Sequence, residues 1–257
     1  MNLCLDIGNS KIRAGLFSGD EVVSHRVLYY DQKTTSLKVG AFLGKVVGRR
    51  QLDAGGIISV SPPATRLVLK ACRGLPGLRV RRMNWRDFRG VRLRYHQPER
   101  LGLDRLANAC AAFRYYGGPV LVVDVGTAVT WDLVDLRGNY LGGAIAPGPG
   151  TMARALHRQT AALPLIEITK TPAFVGRDTA ECIRSGIYWG TVGMIRELTA
   201  RISGGAGAEP ILVFTGGLGG IFAREFPGSR TDEPLTLKGV GWALENLGRG
   251  AKTQQEG

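Results

Sequence analysis

Asp6, Ile7, Gly8, Asn9 and Ser10 follow one another in an arrangement able to hold phosphate. Glycine lets the backbone approach a ligand closely, and Asn9 and Ser10 add side-chain donors to the exposed N–H groups. Asp6 offers a hard carboxylate to a hard cation such as magnesium. Taken alone, the run is equally an ordinary hairpin turn, but it has an echo. Asp124, Val125, Gly126 and Thr127 repeat acid, apolar residue, glycine and polar residue in the same register. Between the two, Gly102, Leu103, Asp104 and Arg105 place an acid and a base after a glycine at the start of a small-residue helix. In isolation these would be a helix N-cap and a surface charge; between two phosphate loops they become candidates for chemistry. Farther on, Thr215, Gly216 and Gly217 follow an apolar strand, where they could pass close to a flat adenine or ribose or simply turn the chain into a helix. The segment Gly40 to Val46 has the wrong spacing for a Walker loop and lacks its magnesium-binding hydroxyl, and the Gly216–Gly220 run fails the dinucleotide fingerprint.

Regular elements must carry these loops. NLCLDIG, IRAGLFS and EVVSHRVLYY read as three strands separated by turn residues. A helix is expected near Ser36 to Val47, then the strand GGIISVS, a helix begun near Pro63, and the short strand LRVRR. From Gly118 the meander restarts as PVLVVDVGTAVTWDLVDLRGNYLGGAIAPG, followed by helices near Thr151 to Arg158 and Asp178 to Ile202, the strand ILVFTGG and a last helix near Leu237 to Leu247. Alternating strands and helices give an α/β layer architecture, and the repeated meander is most simply an internal duplication.

A duplicated meander with Asp-x-Gly at the end of each first strand resembles the actin-like (ribonuclease H-like) fold of sugar kinases and acetate kinase. That resemblance implies two lobes, residues 1–117 with one phosphate loop and 118–257 with the second loop and an adenosine motif. In order and separation, DIGNS at Asp6, GLDR at Gly102 and DVGTAVT at Asp124 resemble the motif set of type III pantothenate kinases. GNYLGGAIAPG from Gly138, the Arg177-Asp178-Thr179 to Ser185-Gly186 segment and TGG at Thr215 extend the likeness over nearly the whole chain. The resemblance implies ATP-dependent phosphorylation of pantothenate to 4'-phosphopantothenate, the first step of coenzyme A biosynthesis, by a cytoplasmic homodimer. Asp104 would be the general base. Asp6, Ile7, Gly8, Asn9, Ser10, Lys11, Ile12 and Arg13 would form the ATP phosphate loop, with Thr127, Thr215, Gly216 and Gly217 as further ATP contacts. Tyr95, Gly102, Leu103, Asp104, Arg105 and Thr179 would line the pantothenate pocket, Arg105 pairing with the substrate carboxylate. Asp6 would reach Mg2+, and Asp124 a monovalent cation, K+ or NH4+. Ser10 stands where many family members have threonine, and both carry a hydroxyl.

Composition is compatible with this reading and narrows the rivals. With 44% hydrophobic and 21% charged residues the chain can bury a substantial core. No basic n-region precedes a long apolar core at the N-terminus, and no apolar run reaches the roughly 20 residues that cross a bilayer. Cys4, Cys72, Cys110 and Cys182 lack metal-ligand spacing, and Cys4, Cys110 and Cys182 are expected to be small buried hydrophobes in a reducing compartment. The net charge of +13, concentrated among the arginines from Arg73 to Arg94, raises a rival: a non-catalytic regulator of the same fold that binds DNA or a protein. No sequence-reading module accompanies those arginines, so no specific nucleic acid is expected. A second rival, an actin-like kinase for another small alcohol, keeps the phosphate loops and changes the acceptor.

Overall fold

The computed structural model describes residues 1–170 and 173–253. In chain order the strands are β1 (Asn2–Ile7), β2 (Lys11–Ser18), β3 (Glu21–Tyr29), β4 (Ala54–Ser59), β5 (Val80–Arg82), β6 (Arg92–Leu93), β7 (Val120–Val125), β8 (Ala128–Val134), β9 (Asn139–Gly142), β10 (Ile145–Pro147), β11 (Ile211–Thr215) and β12 (Arg230–Thr231). The helices are α1 (Ser36–Val47), α2 (Pro62–Cys72), α3 (Leu103–Tyr116), α4 (Pro149–Gln159), α5 (Thr179–Ser203), α6 (Gly219–Ala223) and α7 (Leu235–Thr253). They pack as two units. The first comprises Met1–Val91, His96–Ala111 and the chain from Pro234; the second comprises Arg92–Tyr95 and Ala112–Glu233.

The first unit is built on the sheet β3-β2-β1-β4-β5, antiparallel through β3, β2 and β1 and parallel from β1 to β5. In β1 every residue from Leu3 to Ile7 is buried, which explains a nearly unbroken apolar run, whereas the outer strand β3 alternates toward solvent. Val39, Phe42, Leu43 and Val46 of α1 cluster with Leu3, Leu5 and Leu16. Local chemistry sets the helix starts: the Thr35 hydroxyl accepts from the Lys38 N–H, and Pro62 and Pro63 occupy the first turn of α2, where no N–H is needed.

The expected boundary at 117/118 would assign the last helix to the second lobe. α7 instead packs on β1, β2 and β4 of the first sheet. Its contact is close because Gly241 faces Phe17, a fully buried ring; a methyl at Gly241 would lie 2.2 Å from that ring. Alanine gains about 1 kcal/mol of helix propensity. The overlap outweighs it, so Gly241→Ala should lower the unfolding free energy by about 1–3 kcal/mol, read as a lower urea midpoint at constant m-value. A raised midpoint would mean that the helix yields and the ring does not.

The second unit repeats the plan. Its sheet runs β12-β11-β7-β8-β9-β6, with β10 paired to β8. Read outward from β7, the order β9-β8-β7-β11-β12 and its strand directions match β3-β2-β1-β4-β5. Trp131, Leu121, Val123, Phe214 and Phe222 form its core with Ile187, Tyr188 and Ile195 of α5. The short parallel strand β6 beside β9 was not expected from sequence, because two residues leave no periodicity to read. Among the described residues no helix is long and apolar enough to cross a membrane.

Candidate functional site

In the first unit the β1–β2 hairpin builds the first loop. Asp6 lies opposite Arg13 in the antiparallel register, and Arg13 Nε donates to Asp6 Oδ2 at 2.8 Å. Asp6 is 6% exposed, so this pair compensates a charge that would be costly to bury alone. The loop closes through the Gly8 N–H to the Lys11 carbonyl, 3.0 Å, leaving Asn9 and Ser10 exposed. Ile7 and Ile12 are fully buried, so of these two only the backbone could face a nucleotide.

Three hydroxyl residues at and just beyond the end of β4, and a tyrosine after β3, support the loop without having been singled out from sequence. Tyr30 Oη donates to the Gly8 carbonyl at 2.7 Å, and its N–H donates to the Ser10 carbonyl at 3.1 Å. The same hydroxyl lies 3.1 Å from Ser61 Oγ. Thr65 Oγ1 donates to Ser59 Oγ at 2.7 Å, next to the end of β1, because Ser59 pairs with Ile7. Tyr30 is 22 residues from Gly8, and only the sheet order brings them together.

The GLDR segment begins α3 in the same unit. Asp104 lies within the first turn and is not its N-cap. Its Oδ1 accepts from the Arg105 N–H at 2.9 Å, and the Leu106 N–H donates to the Gly102 carbonyl at 3.1 Å. The carboxylate folds over Gly102 so tightly that a methyl there would lie 2.6 Å from Oδ1. Arg105 is buried and is not the surface charge that the segment in isolation would suggest.

In the second unit the β7–β8 hairpin is one residue shorter than its counterpart. The Gly126 N–H donates to the Ala128 carbonyl at 2.9 Å, and Asp124, half-buried, stands opposite Thr130 on one side and Thr215 on the other. Exposed Thr127 presents its carbonyl to the Gly148 N–H and to Thr151 Oγ1. Gly216 has φ +85°, and the Leu218 N–H closes its turn onto the Val125 carbonyl at 3.1 Å. Thr215 is fully buried, its hydroxyl directed to the Glu233 carbonyl at 3.2 Å, while Gly217 is exposed. Asp124, Thr127, Gly216 and Gly217 therefore converge at the ends of β7 and β11, where ligands collect in open α/β sheets.

Tyr95, just after β6, lies over Gly142 with its ring centre 5.9 Å from that of Tyr140. Tyr140 Oη donates to Oδ1 of the fully buried Asp132 at 2.7 Å. Thr179 opens α5 beside its N-cap Asp178, whose carboxylate accepts from the Glu181 N–H. It lines a cavity of about 600 Å³ with Leu156, Leu163, Ile183 and Cys182. Cys182 is exposed, contrary to the expected small buried hydrophobe, because its turn of α5 borders this cavity. Cys4, Cys72 and Cys110 are buried, and burial raises their thiols, Cys72 to about 11 and Cys110 to about 12, so they stay protonated at neutral pH. A larger cavity, about 730 Å³, lies at the opposite end of β11, beside Ile211, and holds none of the candidate residues.

Among the described residues no three side chains of His, Cys, Asp or Glu gather as a metal cluster. A single carboxylate such as Asp6 is compatible with magnesium that is held mainly by substrate phosphates.

The sequence model described as Type III pantothenate kinase matches residues 2–201. The Type III pantothenate kinase of Brevibacillus brevis is 39% identical over 255 residues, covering 93% of this chain and 96% of its own length. Among solved structures, a putative Baf family transcriptional activator from Campylobacter jejuni superposes with a TM-score of 0.61 at 20% identity, over 96% of this chain and 99% of that one. A putative 2-dehydro-3-deoxygalactonokinase from Sinorhizobium meliloti gives 0.57 at 15% identity, over 96% and 99%. At those identities the two structures are evidence of shared fold only.

Proposed function

The chain belongs to the type III pantothenate kinase family, and on that premise we propose how its residues divide the work of phosphorylating pantothenate with ATP, the first step of coenzyme A biosynthesis. The observation that carries the reading is the repeated sheet, each copy ending its first strand in an acid and a glycine hairpin, with the GLDR turn at the start of α3. Phosphoryl transfer asks a protein mainly to align two oxygens and neutralise charge. The backbone N–H groups of Gly8 to Lys11, with the Asn9 and Ser10 side chains, hold the ATP phosphates. Thr127, Gly216 and Gly217 take the rest of the nucleotide, with Thr215 acting through its backbone.

Asp6, held by Arg13 through Oδ2, would be the carboxylate that reaches magnesium directly or through water. When bound, magnesium would neutralise the phosphate charge, and Asp124 would supply the carboxylate for potassium or ammonium. Asp104 accepts the proton of the pantothenate hydroxyl. Arg105 pairs with the substrate carboxylate, while Tyr95 and Thr179 wall the pocket. We assign the enzyme to the cytoplasm, where its ATP is made, and to a homodimer. Leu165, Phe174 and Val175 support the latter, being large apolar side chains left exposed.

A coupled assay with ATP, magnesium and potassium tests the reading, comparing pantothenate with glucose and glycerol. Turnover is expected with pantothenate and not with the other alcohols. Potassium or ammonium should support it where sodium does so poorly, and Asp124→Asn should remove that dependence. Equal rates in sodium alone, or an Asp124→Asn enzyme that still responds to potassium, would overturn the cation assignment. Phosphorylation of a sugar in preference to pantothenate would overturn the acceptor.

A further inference from the structure

The excess positive charge of the chain is almost confined to the first unit. That unit holds 21 of the 34 Lys and Arg residues but only 10 of the 21 Asp and Glu residues, which leaves the second unit nearly neutral. Within it, residues 54–86 contain no acid and seven bases: Arg66, Lys70, Arg73, Arg79, Arg81, Arg82 and Arg86. All seven are exposed, and Arg89 follows them.

Their placement follows from the fold. Arg66, Lys70 and Arg73 recur at intervals of four and three, which puts them on one face of α2 and its C-terminal cap. The chain then passes directly to β5, the edge of the first sheet, which bears Arg81 and Arg82 with Arg79 just before it. The first acid after this run, Asp87, is 4% exposed and already committed. It accepts from Arg81 at 2.7 Å and from the Asn84 backbone at 2.8 Å. Among the described residues Arg81 is the one member of this group held in an ion pair. Arg86 lies over the Trp85 ring at 4.4 Å, with its charge still toward solvent.

We propose that this acid-free edge of the first unit, α2 through Arg89, docks the phosphate backbone of a nucleic acid without reading its sequence. Guanidinium groups suit phosphate because their fork of donors matches its oxygens, and seven of these eight cations are arginine. A membrane surface or a protein partner would call for apolar anchors. No large hydrophobic side chain is exposed between Ser61 and Asp135, and Trp85, half-buried, lies under Arg86. A backbone of repeated phosphates needs no such anchor. None of the eight cations is among the residues assigned to the kinase reaction.

The test is fluorescence anisotropy of the full chain with a labelled single-stranded RNA of mixed sequence, in parallel with titrations of inorganic polyphosphate and of phosphatidylglycerol vesicles. Engagement of about six phosphates should cost on the order of 10³-fold in affinity between 50 and 200 mM salt. The Arg79→Gln, Arg82→Gln, Arg86→Gln, Arg89→Gln variant should lose about 1 from the salt slope per arginine replaced. It should still phosphorylate pantothenate normally. Arg81 is left in place because its loss would strand buried Asp87, and an unchanged urea midpoint verifies that the variant is folded. The proposal is overturned if the wild type does not bind RNA at 50 mM salt or if the variant binds as well as the wild type. Tighter binding to polyphosphate or vesicles than to RNA, or a defined sequence bound about tenfold more tightly than its scramble, would also overturn it.

Discussion

Replacing Asp104 by Asn should lower kcat by roughly 10²- to 10⁴-fold, the range that general-base catalysis contributes. The substitution is almost isosteric. Asn retains an oxygen to accept from the Arg105 N–H, the 2.9 Å bond that holds the carboxylate in the first turn of α3, so the helix start should remain as it is. It also fits over Gly102, where there is no methyl to oppose it. What disappears is the capacity to take a proton, together with the negative charge favoured at a helix N-terminus. ATP should therefore bind as before, measured by titration with a non-hydrolysable analogue, and the urea midpoint should move little. Turnover within a few-fold of wild type would remove Asp104 from the role of base and leave it a structural part of the turn.

The second large effect is expected at Gly216. Its φ of +85° is disfavoured for any residue with a side chain, at a cost of about 1–2 kcal/mol. A methyl placed there would also lie 2.2 Å from Asp124 Oδ1 and 2.7 Å from the Val125 carbonyl. Neither neighbour is a loose side-chain end. Relief requires moving either the carboxylate assigned to the cation or the turn assigned to the nucleotide, and a displacement near 1 Å in such a site costs about 10² in rate. Gly216→Ala should accordingly reduce kcat/KM for ATP by about that factor and raise the potassium concentration needed for half-activation. The KM for pantothenate should change little. Normal ATP kinetics in a folded Gly216→Ala protein would show that this turn does not serve the nucleotide.

The two hairpins were legible because their signal is local: an apolar strand, an acid, a glycine and a return strand all fall within a short window. The pairing of Asp6 with Arg13 was legible in principle too, since counting outward from the turn sets them opposite one another. Tyr30, Ser59, Ser61 and Thr65 were not. Ser59, Ser61 and Thr65 reach the first loop only because β4 is inserted beside β1, and Tyr30 arrives at the end of β3 through its pairing with β2. The same limit applied to α7, whose apolar stripe announces that it will be buried but does not say on which sheet. Cys182 was misjudged from its neighbours in sequence; exposure on a helix depends on what crosses that face, and here a cavity does.

The return of α7 to the first sheet fixes an order of assembly during synthesis. All of the second unit lies between Arg92 and Glu233, so it is translated before α7. The first sheet, whose strands end at Arg82, must wait for its last layer while more than half the chain is translated. At about 5–20 residues per second that interval is on the order of 10 s. Throughout it, the strip of β1, β2 and β4 that Leu237, Val240 and Leu244 will cover stays open to water or to a chaperone. The sheet begun first is therefore among the last parts to be finished, and β1, which carries Asp6, gains its covering layer only when α7 docks.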